Sequence, residues 1–247
     1  MVRVSKAAKK ALLKFRKGAI DEVQNREIKK LKTQVKKLNQ AEEKKWFDIA
    51  KASTAISTSG TIQPLLALNV YAGNNTAKQN EREGNSINMT SYKIKGEVYI
   101  DKDFASPDSN NKVRLLLVQM TDDNQAAPAL SDIFEDTTSA AAMYSFYKMK
   151  GTRRFKIHYD RTYNLQNTNQ TYSSSSAIMP TTTEPFRRTF NIKAKIPKKG
   201  LKVSYSQGSI SGNGPIVNGL FLIAYSDSGV ISHPAMLYRS RMRFLDN

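Results

Sequence analysis

No cysteine occurs in the 247 residues, so neither disulfides nor thiolate chemistry can contribute. Histidine is nearly absent as well. His158 and His233 stand far apart, too few to supply the histidine cluster of a cupin-type metal enzyme. The longest wholly apolar run is LFLIAY (220–225), too short to span a bilayer, and no membrane insertion is expected. The basic start of the chain is not followed by the apolar stretch of a secretory signal, so a protein that is intracellular where it is made, whatever its final destination, is expected. Acidic residues are missing from positions 1–20, where seven basic ones stand: Arg3, Lys6, Lys9, Lys10, Lys14, Arg16 and Lys17.

What is present is positive charge. The net charge of +18 predicts a polyanionic partner, nucleic acid or an anionic membrane face. It is concentrated: residues 1–50 hold 15 Lys/Arg against 6 Asp/Glu, whereas the other 197 hold 24 against 15. The chain therefore divides into an arm, 1–50, and a body, 51–247.

On a helical wheel, Val4, Ala7, Ala8, Ala11, Leu12, Phe15 and Ala19 share one face of the arm, and the seven basic residues lie opposite. Taken alone, such a segment suits a membrane surface, a partner helix or a nucleic acid. Its apolar face is mostly alanine, shallower than the Trp, Phe and Leu anchors of membrane-lying helices. A second stripe, Ile28, Leu31, Val35 and Leu38, follows among Lys29, Lys30, Lys32, Lys36 and Lys37, out of phase with the first. This predicts a break near Gly18, with Asp21 and Gln24 placed to cap the second helix. Two heptads are too few for an independent coiled coil, so this helix either stays solvated until a partner orders it or makes a specific helix contact.

After Trp46 the texture becomes that of an all-β domain, with short alternating segments separated by Gly, Asn, Ser, Asp and Pro. Eight strands are expected, over 53–62, 86–100, 111–120, 153–165, 186–196, 201–206, 216–226 and 235–245. Phe190, Ile192, Ala194 and Ile196 oppose Asn191, Lys193 and Lys195. Likewise Tyr238, Ser240, Met242 and Phe244 oppose Leu237, Arg239, Arg241 and Arg243. This period of two implies one buried and one wet or partner-facing side. Residues 129–136 and 139–149 read as short helices in a long connection, and NLQNTNQTYSSSS (164–176) as an exposed loop. Eight strands with long, uneven connections fit an antiparallel two-sheet jelly roll better than an up-and-down barrel.

Candidate chemistry is sparse. His158 and Asp160 share a strand face but lack a third ligand. GSISGNGP (208–215) lacks the Lys-Ser/Thr ending of a phosphate loop and reads as a turn. Asp122–Asp123 and Glu135–Asp136 suit solvated loop and helix-end charges better than calcium ligands. Tyr144, Phe146 and Tyr147 precede Lys148, Lys150, Arg153 and Arg154, an interleaving that would stack and neutralise single strands if it were not packed in a core or interface. No catalytic set or cofactor fingerprint emerges, and the chain does not read as an enzyme. The phosphate-contacting candidates are the arm's basic residues, with Arg239, Arg241 and Arg243 as a second, weaker row that equally suits a charged subunit interface.

The order of features resembles a known group. A basic arm leads to TSGTIQPLLAL, then to NEREGNSINMTSYKIKGEVYI (80–100) and KVRLLLVQMTDDNQAAPALSDIFED (112–136). FKIHYDRTYNL (155–165), FNIKAKIPKKGLKVSYS (190–206) and NGLFLIAYSD (218–227) complete the series. This pattern resembles the jelly-roll capsid proteins of small circular single-stranded DNA viruses that encode a replication initiator. It is also similar to coat proteins of tombus-like RNA viruses and satellite viruses. The resemblance implies a virion shell subunit, a homo-oligomer of about sixty copies in the simplest icosahedral case. It implies a single-stranded genome held by the arm, with DNA favoured over RNA, and a nuclear stage during assembly. It departs from that group in an arm that is Lys-rich and helix-patterned where theirs is Arg-rich. The alternative is a cellular β-domain with a basic tail that binds polyanions without forming shells.

Overall fold

A computed structural model describes residues 21–35, 44–68, 80–100, 110–121, 127–137, 143–149, 154–166, 187–206, 214–229 and 234–246. The chain divides into two compact units, Met1–Glu43 and Lys44–Asn247. In the first, residues 21–35 are one exposed helix, α1, with Ile28, Leu31 and Val35 open to solvent. Asp21 is already helical, so it does not serve as the cap expected of it. The amphipathic segment before it and the break near Gly18 lie outside the described residues.

The second unit is all-β. Its strands are β1 (Lys44–Ala55), β2 (Thr61–Pro64), β3 (Ser86–Tyr99), β4 (Asn110–Met120), β5 (Phe155–Gln166), β6 (Arg187–Lys193), β7 (Leu201–Tyr205), β8 (Pro215–Val217), β9 (Gly219–Ser226) and β10 (Ala235–Asp246). One sheet runs β1-β10-β3-β7-β8, with β6 also paired to β3, and the other runs β2-β9-β4-β5. Every pairing is antiparallel, and the chain passes repeatedly from sheet to sheet. That order is a jelly roll.

Among the described residues ten strands stand where eight were expected, because two apparent strands each change sheets partway. The segment read as 53–62 is the end of β1, a turn and β2. Gly60 makes that turn at φ 85°, where an added Cβ would run into Leu130. The run IVNGLFLIAYS breaks at Asn218, whose φ of 61° sends β8 into the first sheet and β9 into the second. Strand β1 itself begins at Lys44, within the segment read as arm. The helix expected over 139–149 is not continuous in its described part: Met143 and Met149 lie in 3₁₀ turns, and between them Tyr147 bridges Phe134 in extended pairing. The first short helix is present as α2 (Leu130–Ile133).

The two sheets differ in what covers them. Between them lies the main core, including Ile94, Val113, Leu115, Leu117, Leu222, Met242 and Phe244. The outer side of the second sheet is buried too. Leu130, Ile133, Phe134 and Met143 from the β4–β5 connection pack there on Leu116, Val118, Phe221 and Ile223. Strands β4 and β9 are therefore sealed on both faces, which is why they read as nearly unbroken apolar runs. Arg114 pins this cover. It grips Asp160 with both ends of its guanidinium (3.0 and 2.7 Å), donates to the Met143 and Ser145 carbonyls, and lies over Phe134. The Tyr147 hydroxyl donates to the same carboxylate. No described segment covers the outer face of the first sheet in this way, and its strands keep the polar–apolar alternation expected for β6 and β10.

His158 and Asp160 do not pair, because the bulge in β5 near Ile157–Tyr159 turns them to different surroundings. His158 is buried. Its Nδ1 accepts the Lys195 amide (3.0 Å), so Nε2 carries the proton and donates to Gln119 Oε1 (2.8 Å). Gln119 then donates to Asn218, and Asn218 to the Lys202 carbonyl. Burial, and next the charges of Lys156 and Lys195, push the imidazole down to about 4. The unfolded chain therefore binds one proton more between about pH 6.5 and 4, so stability is full above that window and falls as pH drops through it. The expected loss is about 1–3 kcal/mol. Denaturant unfolding across this range should show a shallower acid decline in His158→Gln than in the parent protein, and equal declines would contradict it.

Candidate nucleic-acid interface

The open face of the first sheet is built by alternation and register. Residues Lys44, Trp46, Asp48 and Ala50 of β1 point outward, as do Arg239, Arg241 and Arg243 of β10, Lys93 and Lys95 of β3, and Arg187 and Lys193 of β6. Pairing lines them up. Asp48, Arg241, Lys93 and Lys193 form one row across four strands, and Ala50, Arg239, Lys95 and Asn191 form the next. Trp46, Arg243 and Ser91 form a third.

Adjacent strands lie about 4.8 Å apart, so each of these cations has others within a Debye length of about 10 Å. Like charges directly opposite each other on a sheet destabilise it. Two carboxylates relieve this face. Asp48 receives both arms of Arg241 (2.7 and 2.6 Å), which holds its carboxyl below the usual range. Glu97 receives Arg187 (2.9 Å), which also lies against Tyr99. Lys44, Lys93, Lys95, Lys193, Arg239 and Arg243 have no carboxylate partner among the described residues. A cleft of about 770 Å³ runs between the rows, with Asp48, Lys93, Lys95, Arg239, Arg241 and Arg243 on its walls. The arrangement can hold several phosphates of a flexible polyanion without reading bases.

Of the residues expected to contact nucleic acid, Arg239, Arg241 and Arg243 stand at the centre of this face. Lys29, Lys30 and Lys32 are exposed on α1. Arg3, Lys6, Lys9, Lys10, Lys14, Arg16, Lys17, Lys36 and Lys37 lie outside the described residues. The sequence reading missed Lys44, Lys93 and Lys95 and did not join Lys193 to the arginines. The signal for two of these was the alternation in SYKIKGEV, but only the register shows that they meet Arg239 and Arg241. The described part of the aromatic–basic group, 144–149, lies elsewhere, with Tyr147 over the second sheet. There Tyr147 stacks on Phe134 at 5.7 Å, and Tyr144 accepts a hydrogen bond from Lys112 (2.6 Å). Phe146 is exposed, while Lys150 and Arg153 fall outside the described residues.

No protein-family model and no curated protein matches the chain. Among solved structures it is similar to one of Desmodium yellow mottle tymovirus, with 8% identity, 83% of this chain and 86% of that one covered, and a TM-score of 0.35. It is likewise similar to one of cocksfoot mottle virus (9% identity, 83% and 93% covered, TM-score 0.34). A third similarity is to the infectious bursal disease virus VP2 subviral particle (12% identity, 83% and 42% covered, TM-score 0.21). At these scores the superpositions carry no argument, and the jelly roll rests on the strand order itself. The three names are also not those of the circular-DNA group that the sequence pattern resembles.

Proposed function

We propose that this chain is a viral capsid subunit whose copies close into a shell around single-stranded nucleic acid. In this reading the genome is held by the Lys/Arg-rich N-terminal arm and by the basic face of the first sheet. The carrying observation is that face: rows of in-register cations, largely without carboxylates among the described residues, on a sheet that no described segment covers while the other is sealed. Jelly rolls serve chiefly as capsid, lectin and cupin domains. A cupin site needs clustered histidines, and His158 is already committed to a structural hydrogen-bond chain. A glycan-binding module has no use for so many unpaired cations unless its glycan is acidic, which leaves polyanion binding without a shell as the second reading. DNA over RNA as the cargo, and a nuclear stage before the virion, are what the resemblance to the circular-DNA group implies. No described helix is long and apolar enough to cross a membrane.

Binding of a mixed-sequence labelled single strand by the full-length protein tests the polyanion part. Affinity should be nearly sequence-blind and fall steeply with salt; salt-insensitive binding, or binding to one sequence only, overturns it. Replacing Arg239, Arg241 and Arg243 together by Gln should reduce the slope of log affinity against log salt by about 2, at roughly 0.7 per phosphate contact. The three side chains are exposed, so the fold should persist. An unchanged slope would remove this row from the interface.

A further inference from the structure

The basic face carries one residue that phosphate binding does not explain. Trp46, the only tryptophan of the chain, stands outward on β1 and is 40% exposed. It pairs in register with Arg243, next to the Asp48–Arg241 pair. Together with Lys44, Lys45, Arg241 and Arg243 it lines a cleft of about 310 Å³.

A tryptophan that only packs would be expected to bury its ring or find an acceptor for its indole N–H. This one does neither. Among the described residues no ring stacks on it, no cation lies over it and its N–H has no acceptor. Elsewhere in the molecule cations do sit against rings: Arg82 on Tyr205, Arg114 on Phe134, Arg161 on Tyr163 and Arg187 on Tyr99. Beside Trp46, Arg241 is instead drawn to Asp48, and no described cation or ring takes up the indole.

We propose that Trp46, with Lys44, Arg241 and Arg243, forms a subsite for one unpaired nucleotide, its base stacked on the indole and its phosphates held by the cations. The inference rests on the polyanion reading above and goes beyond it by making the face selective for single strands. Any base offers a π-face to an open ring, so stacking is sequence-tolerant. In a duplex both faces of a base are already stacked, so Trp46 would have nothing to receive.

Because Trp46 is the sole tryptophan, its emission reports on the subsite directly. Full-length protein is titrated with a dye-labelled thymidine oligonucleotide, with an abasic strand of equal length, with a duplex and with phosphatidylserine vesicles. Dye anisotropy gives binding of the three nucleic acids, and co-sedimentation gives binding of the vesicles. The base-bearing strand should quench Trp46, whereas the abasic strand and the duplex should bind without quenching. Trp46→Ala should weaken binding of the base-bearing strand about five- to a hundred-fold and leave the abasic strand unaffected, with Trp46→Phe between. Should the Ala variant misfold, quenching of the parent protein and the Phe variant still decide the question. Strand binding with no change in Trp46 emission overturns the subsite and leaves the polyanion reading standing. Failure of every strand to bind overturns that reading first. An emission shift with vesicles alone assigns the ring to a lipid surface and overturns the proposal.

Discussion

Removing residues 1–20 should lower the slope of log affinity against log salt for single-strand binding by about 5. Seven basic residues and no acidic one are lost, each worth roughly 0.7 if it meets a phosphate. Between about 50 and 200 mM salt that difference amounts to roughly a thousand-fold of salt-driven weakening that the truncated protein no longer shows. The residual slope belongs to the basic sheet face and the rest of the arm. Lys44–Asn247 forms a compact unit by itself, so the truncated protein should keep its thermal unfolding transition. An unchanged slope would mean that the arm does not hold the polyanion, and loss of the transition would make it a structural part of the body.

Lys45→Ala should destabilise the body by about 3–5 kcal/mol, the usual cost of orphaning a buried ion pair. Lys45 is 1% exposed and donates to Glu83 (2.8 Å) and Asp246 (2.9 Å). Burial alone would lower its pKa, but the hydrogen bonds and charges of the two carboxylates outweigh that, and the ammonium is held above its ordinary value. Glu83 is half-exposed, so its share is small. Asp246 is not. Its Oδ1 is buried without a partner, and only Lys45 and the Glu83 amide serve its Oδ2. Taking Lys45 away removes the one described cation hydrogen-bonded to that carboxylate and leaves it only the more distant charge of buried Arg82 at the end of β10. Lys45→Met with Asp246→Asn should recover much of the loss, because the buried charges go together. Denaturant midpoints at constant m measure both, and a loss below about 1 kcal/mol for Lys45→Ala would show that the pair is dispensable. The pair also ties the start of β1 to the end of β10, the register that brings Trp46 opposite Arg243.

The same lysine explains why the first strand was hard to read. In KKWFDIA the charged Lys45 takes an inward position and the indole of Trp46 an outward one, so the polarity pattern is inverted just where the strand begins. Where chemistry and burial agreed, reading was direct: Phe190 and Ile192 point inward, Asn191 and Lys193 outward, and the Arg239–Arg243 row stands against buried Tyr238, Ser240, Met242 and Phe244. Sheet switching at Gly60 and Asn218 was hidden because one left-handed residue redirects a chain whose side-chain pattern hardly changes. Met143 and Tyr147, four apart, mimic a helical face, yet the Phe134 bridge and the contacts of Tyr147 with Asp160 and Arg114 hold Tyr147 in extended pairing. Lys93, Lys95 and Lys193 looked like ordinary solvated strand residues. Their convergence with Arg239 and Arg241 is a property of register, set by pairings between residues as distant in sequence as Lys93 and Arg241.

The most direct test of shell formation around nucleic acid is electron microscopy of the full-length protein mixed with a long single strand, followed by nuclease digestion. Closed particles of uniform size containing nuclease-protected strand are the expected result. Protein that remains monomeric across salt and pH, with every bound strand left open to digestion, would contradict it.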